Sequence, residues 1–370
     1  MKTLSTSLLL LLLVLGFAPQ LPGQAQAIYD SAERVAISSH REQALPVEAT
    51  YFKVPLFLDY NGFRINNQSA LTLLQTHPIR TIRLYYSDYP PGQDLSLLNL
   101  GRIDALLRQV PQAAADTVVW QIVKQTDCTN RREAQKRFHG FEVLLAIPDD
   151  IKLSTIQVDS SFQDFVVDRV LRRNDWREML IVTDVTGSMA PYTSQLFLWL
   201  QLNTLDDRVK QFVFFNDGDY TRDADKVIGQ TGGIYHTKSK AYREVELTAL
   251  QSMFNGGGGD SPENDVEALL RGLHLCPDCQ ENILIADNFS KVRDLELLHE
   301  INQPIRIIIC GSETGVNVEY LNLARDTGGS IHLMEEDLFE LIQLNEGKTL
   351  EINGFHYQIV DNRFVRIKGL

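Results

Sequence analysis

The chain has 370 residues, enough for two domains that each bury a core of their own. Its 35 basic residues face 48 acidic ones, a net charge of −13, and no stretch gathers Lys or Arg into a strong patch. Such a surface repels phosphate backbones and anionic headgroups, so nucleic acid and membrane surfaces are excluded as expected partners.

At the N-terminus, Lys2 precedes the apolar run from Leu8 to Leu15, and Ala25-Gln26-Ala27 follows with the small residues of a cleavage site. Residues 1–27 are therefore read as a signal peptide removed before Ile28. The apolar run ends near Ala18, short of the roughly 20 residues a membrane span requires. No later segment is apolar enough to insert in a bilayer. The protein is expected to be exported, to the periplasm or the medium. Losing Lys2 with the leader leaves 34 basic residues against 48 acidic, a net charge of −14.

Residues 28–158 read as a small α+β domain whose role the sequence leaves open. A strand from Lys53 to Tyr60 turns at Asn61-Gly62 into Phe63 to Ile65, a hairpin pattern. Strands follow at Thr81 to Tyr86, Thr117 to Lys124 and Phe141 to Ile147, with helices near Leu97 to Gln109 and Arg131 to Phe138. Phe162, Phe165, Val166 and Val170 then recur at helical spacing.

From Glu178 the pattern alternates between short apolar strands and helices, which predicts a doubly wound, mostly parallel sheet over residues 159–345. The strands are Met179 to Val182, Phe212 to Phe215, Ile283 to Ala286, Ile305 to Ile309 and Ser330 to Met334. Helices fit at Leu196 to Asn203, Tyr242 to Met253, Asp265 to Leu273, Leu295 to Ile301 and Val318 to Thr327, with a closing helix at Asp337 to Leu341. Residues 346–370 read as a meander, Thr349 to Ile352, Phe355 to Val360 and Arg363 to Ile367, turning at Asn353-Gly354 and Asp361-Asn362. In an oxidising compartment Cys276 and Cys279 are expected to bond to each other, while Cys128 and Cys310 stay reduced.

Chemistry gathers where the strands end. The first strand of the α/β half runs into Asp184-Val185-Thr186-Gly187-Ser188-Met189, one carboxylate and two hydroxyls at alternate positions, with Gly187 expected to take a sharp turn. The run Gly256 to Gly259 leads into Asp260-Ser261-Pro262-Glu263 just before a helix, and a third strand ends in Asp287-Asn288. Ligands collect at the carboxyl ends of such strands, and oxygen-only donors suit a hard cation. The glycine run lacks the Lys-Ser/Thr of a phosphate loop and would face a phosphate with Asp260, which disfavours an anion nest. Asp217 and Asp219 are expected to add negative charge at the same edge, and His236, His274 and His332 to be structural.

These three segments resemble the metal-ion-dependent adhesion site of von Willebrand factor type A (VWA) domains. In that family the pattern is Asp-x-Ser-x-Ser, a Thr in a Gly-rich loop, and a later Asp. The resemblance covers roughly Glu178 to Leu341, including Leu323-Ala324-Arg325-Asp326-Thr327-Gly328-Gly329, and is nearest to exported bacterial proteins with DVTGSM and GGGGD-x-PEN motifs. It implies a VWA/Rossmann-like fold and a Mg²⁺ site, or one for Mn²⁺ or Ca²⁺, from Asp184, Thr186, Ser188, Asp260 and Asp287. The family's last coordination position is left for a carboxylate of a protein partner. Asp260 stands where the family has Thr, so three carboxylates would surround one dication and weaken its pull on an acidic partner. A binding protein is thus expected, not an enzyme: no G-x-S-x-G, HExxH or dinucleotide fingerprint is present. The competing readings are a structural or regulatory module whose metal only organises loops, and a metal-dependent hydrolase with Glu263 as its base.

Overall fold

The computed structural model describes residues 23–38, 48, 50–155, 162–203, 208–221, 223–256 and 262–368. They divide into two units: residues up to 47 with 53–146, and residues 48–52 with 147–370. The apolar run of the leader lies outside the described residues, while Ala25-Gln26-Ala27 falls within helix α1 (Gln24–Ser31).

In the first unit β1 (Glu33–Ser38), β2 (Tyr51–Phe57), β3 (Ile79–Ser87), β4 (Val119–Thr126) and β5 (Gly140–Ala146) form one sheet in the order β1-β4-β3-β5-β2. Pairs β1–β4 and β3–β4 are parallel and β3–β5 antiparallel, so the sheet is mixed. Helices α2 (Leu71–Thr76), α3 (Ser96–Gln109) and α4 (Arg131–Lys136) connect the strands. The expected hairpin shrinks to a single antiparallel bridge, Leu58 to Ile65. Pro55 donates no backbone hydrogen bond, which suits an edge strand. There the Asn67 amide replaces a partner strand, accepting from Phe57 N at 2.9 Å and donating to Pro55 O at 2.8 Å. Strand β1 and helices α1 and α2 were not predicted. No residue of strand β1 is buried, so it shows no clean alternation.

The sheet of the second unit begins with β6 (Met179–Asp184), preceded by α5 (Val166–Arg173) and followed by α6 (Ala190–Leu202) and β7 (Val209–Phe215). Then come β8 (Ile234–Thr237), α7 (Tyr242–Asn255), α8 (Asp265–Leu275), β9 (Glu281–Asp287), β10 (Ile305–Cys310), α9 (Val318–Asp326), β11 (Ser330–His332) and β12 (Asp337–Leu338). The sheet order is β12-β11-β10-β9-β6-β7-β8. It is parallel except at its two edge strands, so the α/β, mostly parallel architecture stands. Every residue of β6 is buried, as expected of a strand covered on both faces. On one face Leu180, Val182, Val213 and Phe215 pack with Val266 and Leu269 of α8 and Leu321 and Ala324 of α9. On the other, Phe214 stacks on Phe197 of α6 at 6.1 Å. Helix α8 lies close to the central strand because Gly272 has no side chain: a Cβ there would meet Leu180 at 2.9 Å.

The sequence reading has no counterpart of β8, its helix at Leu295 to Ile301 is a 3-10 helix, Leu295–Glu300, and two boundaries differ as well. Residues 147–155 belong with the second unit, where Arg243 of α7 donates to Ile151 O and Leu153 N donates to Glu246. The closing helix at 337–341 is instead β12 followed by a single short turn. Arg173 of α5 donates to Leu333 O, Met334 O and Glu336 O and pairs with Asp337, which holds this segment extended against β11. The meander forms as expected: β13 (Thr349–Ile352), β14 (Phe355–Val360) and β15 (Arg363–Ile367). Its Ile352, Tyr357, Ile359 and Phe364 join the core of the α/β sheet, so it is a covering layer of that unit. Cys276 and Cys279 are bonded, with Cα atoms 5.4 Å apart, and Cys128 and Cys310 are buried outside that disulfide. No described helix is long and apolar enough to cross a membrane.

Candidate functional site

Strand β6 lies between β7 and β9. The chain leaves it toward β7 on one side, while β9, β10 and β11 build outward on the other. The crevice at the carboxyl end of β6 and β9 is therefore the point where strand order reverses, the usual ligand position of an open α/β sheet. Asp184 is the last residue of β6 and Asp287 the last of β9.

The DVTGSM segment folds over that crevice. Asp184 Oδ1 accepts the Thr186 amide at 2.8 Å, fixing the carboxylate toward its own loop. Ser188 Oγ donates to Asp287 Oδ2 at 2.8 Å and lies 3.4 Å from Thr186 Oγ1. One carboxylate from each strand and both hydroxyls are thereby brought together. Asp287 Oδ1 accepts the Phe289 amide at 2.9 Å. Asn288 braces the loop by donating to Gly311 O and Gly315 O and accepting from Asn317 N. Gly187 opens the short 3-10 turn to Met189 without a glycine-only conformation. Its φ lies outside the left-handed region and the space over it is open, so it leaves the mouth beside exposed Ser188 clear. Asp260 and Ser261 lie outside the described residues; the neighbouring Glu263 is tied down, its N–H donating to Lys291 O at 2.7 Å.

Asp184 Oδ2 is wholly buried and has no hydrogen-bond partner. Burial first, and Asp217 second, push the Asp184 carboxyl far above the usual carboxylate range. Asp217 reaches the site because Asp217-Gly218-Asp219 is a left-handed run with φ of 63°, 96° and 56°, which Asp and Gly tolerate. Asp217 Oδ1 accepts the Asn264 amide, while Oδ2 is unpartnered. Asp219 instead accepts from Asn216 and Tyr235.

The sequence reading missed how many acids this edge buries. Glu263 is enclosed, and burial first, with the neighbouring carboxyl of Asp217 next, raises its pKa steeply. Asp265 accepts from Tyr320 Oη at 3.2 Å, and its other oxygen is unpartnered. Asp294 caps α8 from a separate loop, accepting the Val266 and Glu267 amides at 3.1 and 2.6 Å. The Pro262-Glu263-Asn264-Asp265 string was the only sequence signal for this layer. His332 is buried with Ser330 and Asp337, while His236 and His274 are exposed.

Among the described residues no three His, Cys, Asp or Glu side chains form a ligand cluster. The converging donors are two carboxylates and two hydroxyls, all oxygen, with one buried carboxylate oxygen left unsatisfied. Such a set fits a hard dication better than zinc or copper. Compared with models of known protein families the chain matches none, and it matches no curated protein.

Proposed function

We propose that the second unit is a VWA-type module that binds Mg²⁺, or Mn²⁺ or Ca²⁺, through Asp184, Thr186, Ser188 and Asp287, with Asp260 as the fifth donor, and uses it to capture a protein partner. The observation that carries this reading is the unsatisfied, buried Oδ2 of Asp184 beside the Ser188–Asp287 hydrogen bond at the strand-order reversal. Thr186 and Ser188 would bind the ion with their hydroxyl oxygens, and Asp184 and Asp287 would balance its charge. A bound dication supplies an electrophilic centre for a carboxylate of the partner. Phe289, 70 % exposed two residues after Asp287, offers the apolar contact that would flank it. Export through residues 1–27 belongs to the same proposal and is checked by N-terminal sequencing, which should begin at Ile28.

A second reading, a cation that only holds the loops together, is favoured by the buried acids Asp217 and Glu263, whose charge a dication would offset. Calorimetry with Mg²⁺ tests the site common to both: Asp184→Ala and Asp287→Ala should each abolish binding, and unchanged affinity in both variants would sink it. Partner capture separates the two. Under the adhesion reading EDTA releases the partner, and Phe289→Ala weakens capture several-fold without altering Mg²⁺ affinity. Asp260→Thr then binds Mg²⁺ more weakly yet accepts an acidic ligand more readily. Capture indifferent to EDTA leaves the structural reading.

A further inference from the structure

The first unit holds a cavity of about 410 Å³, within the usual size range of small-molecule sites. It opens at the carboxyl end of β3, between the turn at Tyr60 and Asn61, the segment 89–95, the first half of α3 and the start of α4. Arg102 of α3 forms part of its wall at 0 % exposure. Its guanidinium is held by carbonyls of one turn: Nε donates to Gly62 O at 3.0 Å, and Nη2 to Tyr60 O at 2.7 Å and Asp59 O at 3.1 Å. Nη1 has no partner, and among the described residues no carboxylate pairs with this arginine. A buried charge without a counter-ion is costly, and three carbonyls fix the guanidinium without neutralising it. Burial lowers its pKa to about 10, so it stays charged at neutral pH.

The rest of the wall sets what the missing anion looks like. His139, also buried, directs Nε2 to Ala134 O at 2.9 Å, so in the neutral ring Nε2 carries the proton. Burial first, and the charge of Arg102, lower the pKa of that ring and so favour its neutral form. Its Nδ1 is then an acceptor, and it too lacks a partner. Exposed Arg131 stands at the rim with Asp94, whose Oδ1 is engaged by Ser96 N. Two arginines against one aspartate leave a net positive wall in a chain of net charge −13. Tyr60, Tyr86 and Tyr89 supply flat aromatic surface.

We propose that this cavity binds a small organic hydroxycarboxylate, its carboxylate on Arg102 Nη1, its hydroxyl donating to His139 Nδ1 and its body against the tyrosines. A hydroxyl fits better than an ammonium because Arg102 and Arg131 repel a cation. Reaching Nη1 requires the lining side chains to shift, the scale of movement common on ligand binding. The proposal is independent of the metal site in the second unit.

The test titrates the full-length protein, in EDTA, with 4-hydroxyphenyllactate, lactate, 3-(4-hydroxyphenyl)propionate and inorganic phosphate by calorimetry. Saturable binding of 4-hydroxyphenyllactate is expected, with 3-(4-hydroxyphenyl)propionate, which lacks only the 2-hydroxyl, about tenfold weaker. Arg131→Ala, at an exposed position, should weaken the hydroxycarboxylate several-fold. His139→Phe should remove its advantage over 3-(4-hydroxyphenyl)propionate, and Arg102→Met should abolish binding. If Arg102→Met does not fold, Arg131→Ala and His139→Phe decide. Absence of binding by both hydroxycarboxylates, affinity untouched in those two variants, or phosphate binding as tightly as 4-hydroxyphenyllactate each overturns the proposal.

Discussion

His332 shows how burial sets the behaviour of a single side chain. Its Nδ1 lies 2.7 Å from Asp337 Oδ1, its Nε2 2.7 Å from Ser330 Oγ, and its ring is edge-on to Trp176 at 4.8 Å. The carboxylate favours the charged ring, yet desolvation is larger and takes the pKa down to about 4. The unfolded chain, with a histidine near 6.5, therefore binds more protons between those values, so this contribution to stability is lost as pH falls from about 6.5 to 4. Denaturant titrations at pH 7 and pH 5 should show a loss of about 2 kcal/mol from this residue. A His332→Gln variant should lack that component, and identical pH dependence in the two proteins would refute the assignment. The sequence marked His332 as structural because it sits in a predicted strand, but nothing in it announced the Asp337 contact. Likewise Asp184, Thr186, Ser188 and Asp287 were legible because oxygen-bearing residues punctuate strand ends. Glu263 stood out only as a possible base, and Asp265 and Asp294 not at all, since this acidic layer forms only when the start of α8 meets the loop after β9.

Elements in this chain are fixed partly by groups far away in sequence. Helix α8 begins without a side-chain cap from its own N-cap residue, Asn264. Asp294 takes that role with both oxygens and adds a negative charge at the positive end of the helix dipole. Asp294→Ala should cost about 1–2 kcal/mol in unfolding experiments, as other lost caps do. Asp294→Asn should cost less, and no loss with Ala would mean the two amides find other partners. The Asn61-Gly62 pattern signalled a turn, and a turn forms, with Gly62 N donating to Asp59 O. No second strand follows it, because Asn66 and Asn67 occupy the edge of β2. Strand β12 replaced a predicted helix for a similar reason, since Arg173 and His332 hold Asp337 in place more strongly than local propensity directs it.

For the molecule as a whole, the two units carry different chemistry: a buried acidic edge in one and a cationic cavity in the other. Mg²⁺ at a hundred times its Kd should add about 2.7 kcal/mol to the stability of the unit that binds it. Hydrogen exchange read peptide by peptide should show that protection around 179–190 and 281–290, and none across 79–126. Equal protection of both regions would place the ion elsewhere. Sequence by itself determined the alternation of apolar strands and helices over the second unit, the order of its central strands' loops, the meander, and the residue types that end β6 and β9. Each of these is written in local periodicity and turn chemistry, which act over a few residues. Only the tertiary structure decided that residues 147–155 and the meander belong to the α/β unit. It alone buried Asp217 and Glu263 at the edge the sequence had pointed to, and enclosed Arg102 and His139 around one cavity. Those arrangements depend on which distant surfaces exclude water together, and burial of that kind leaves no period in the chain.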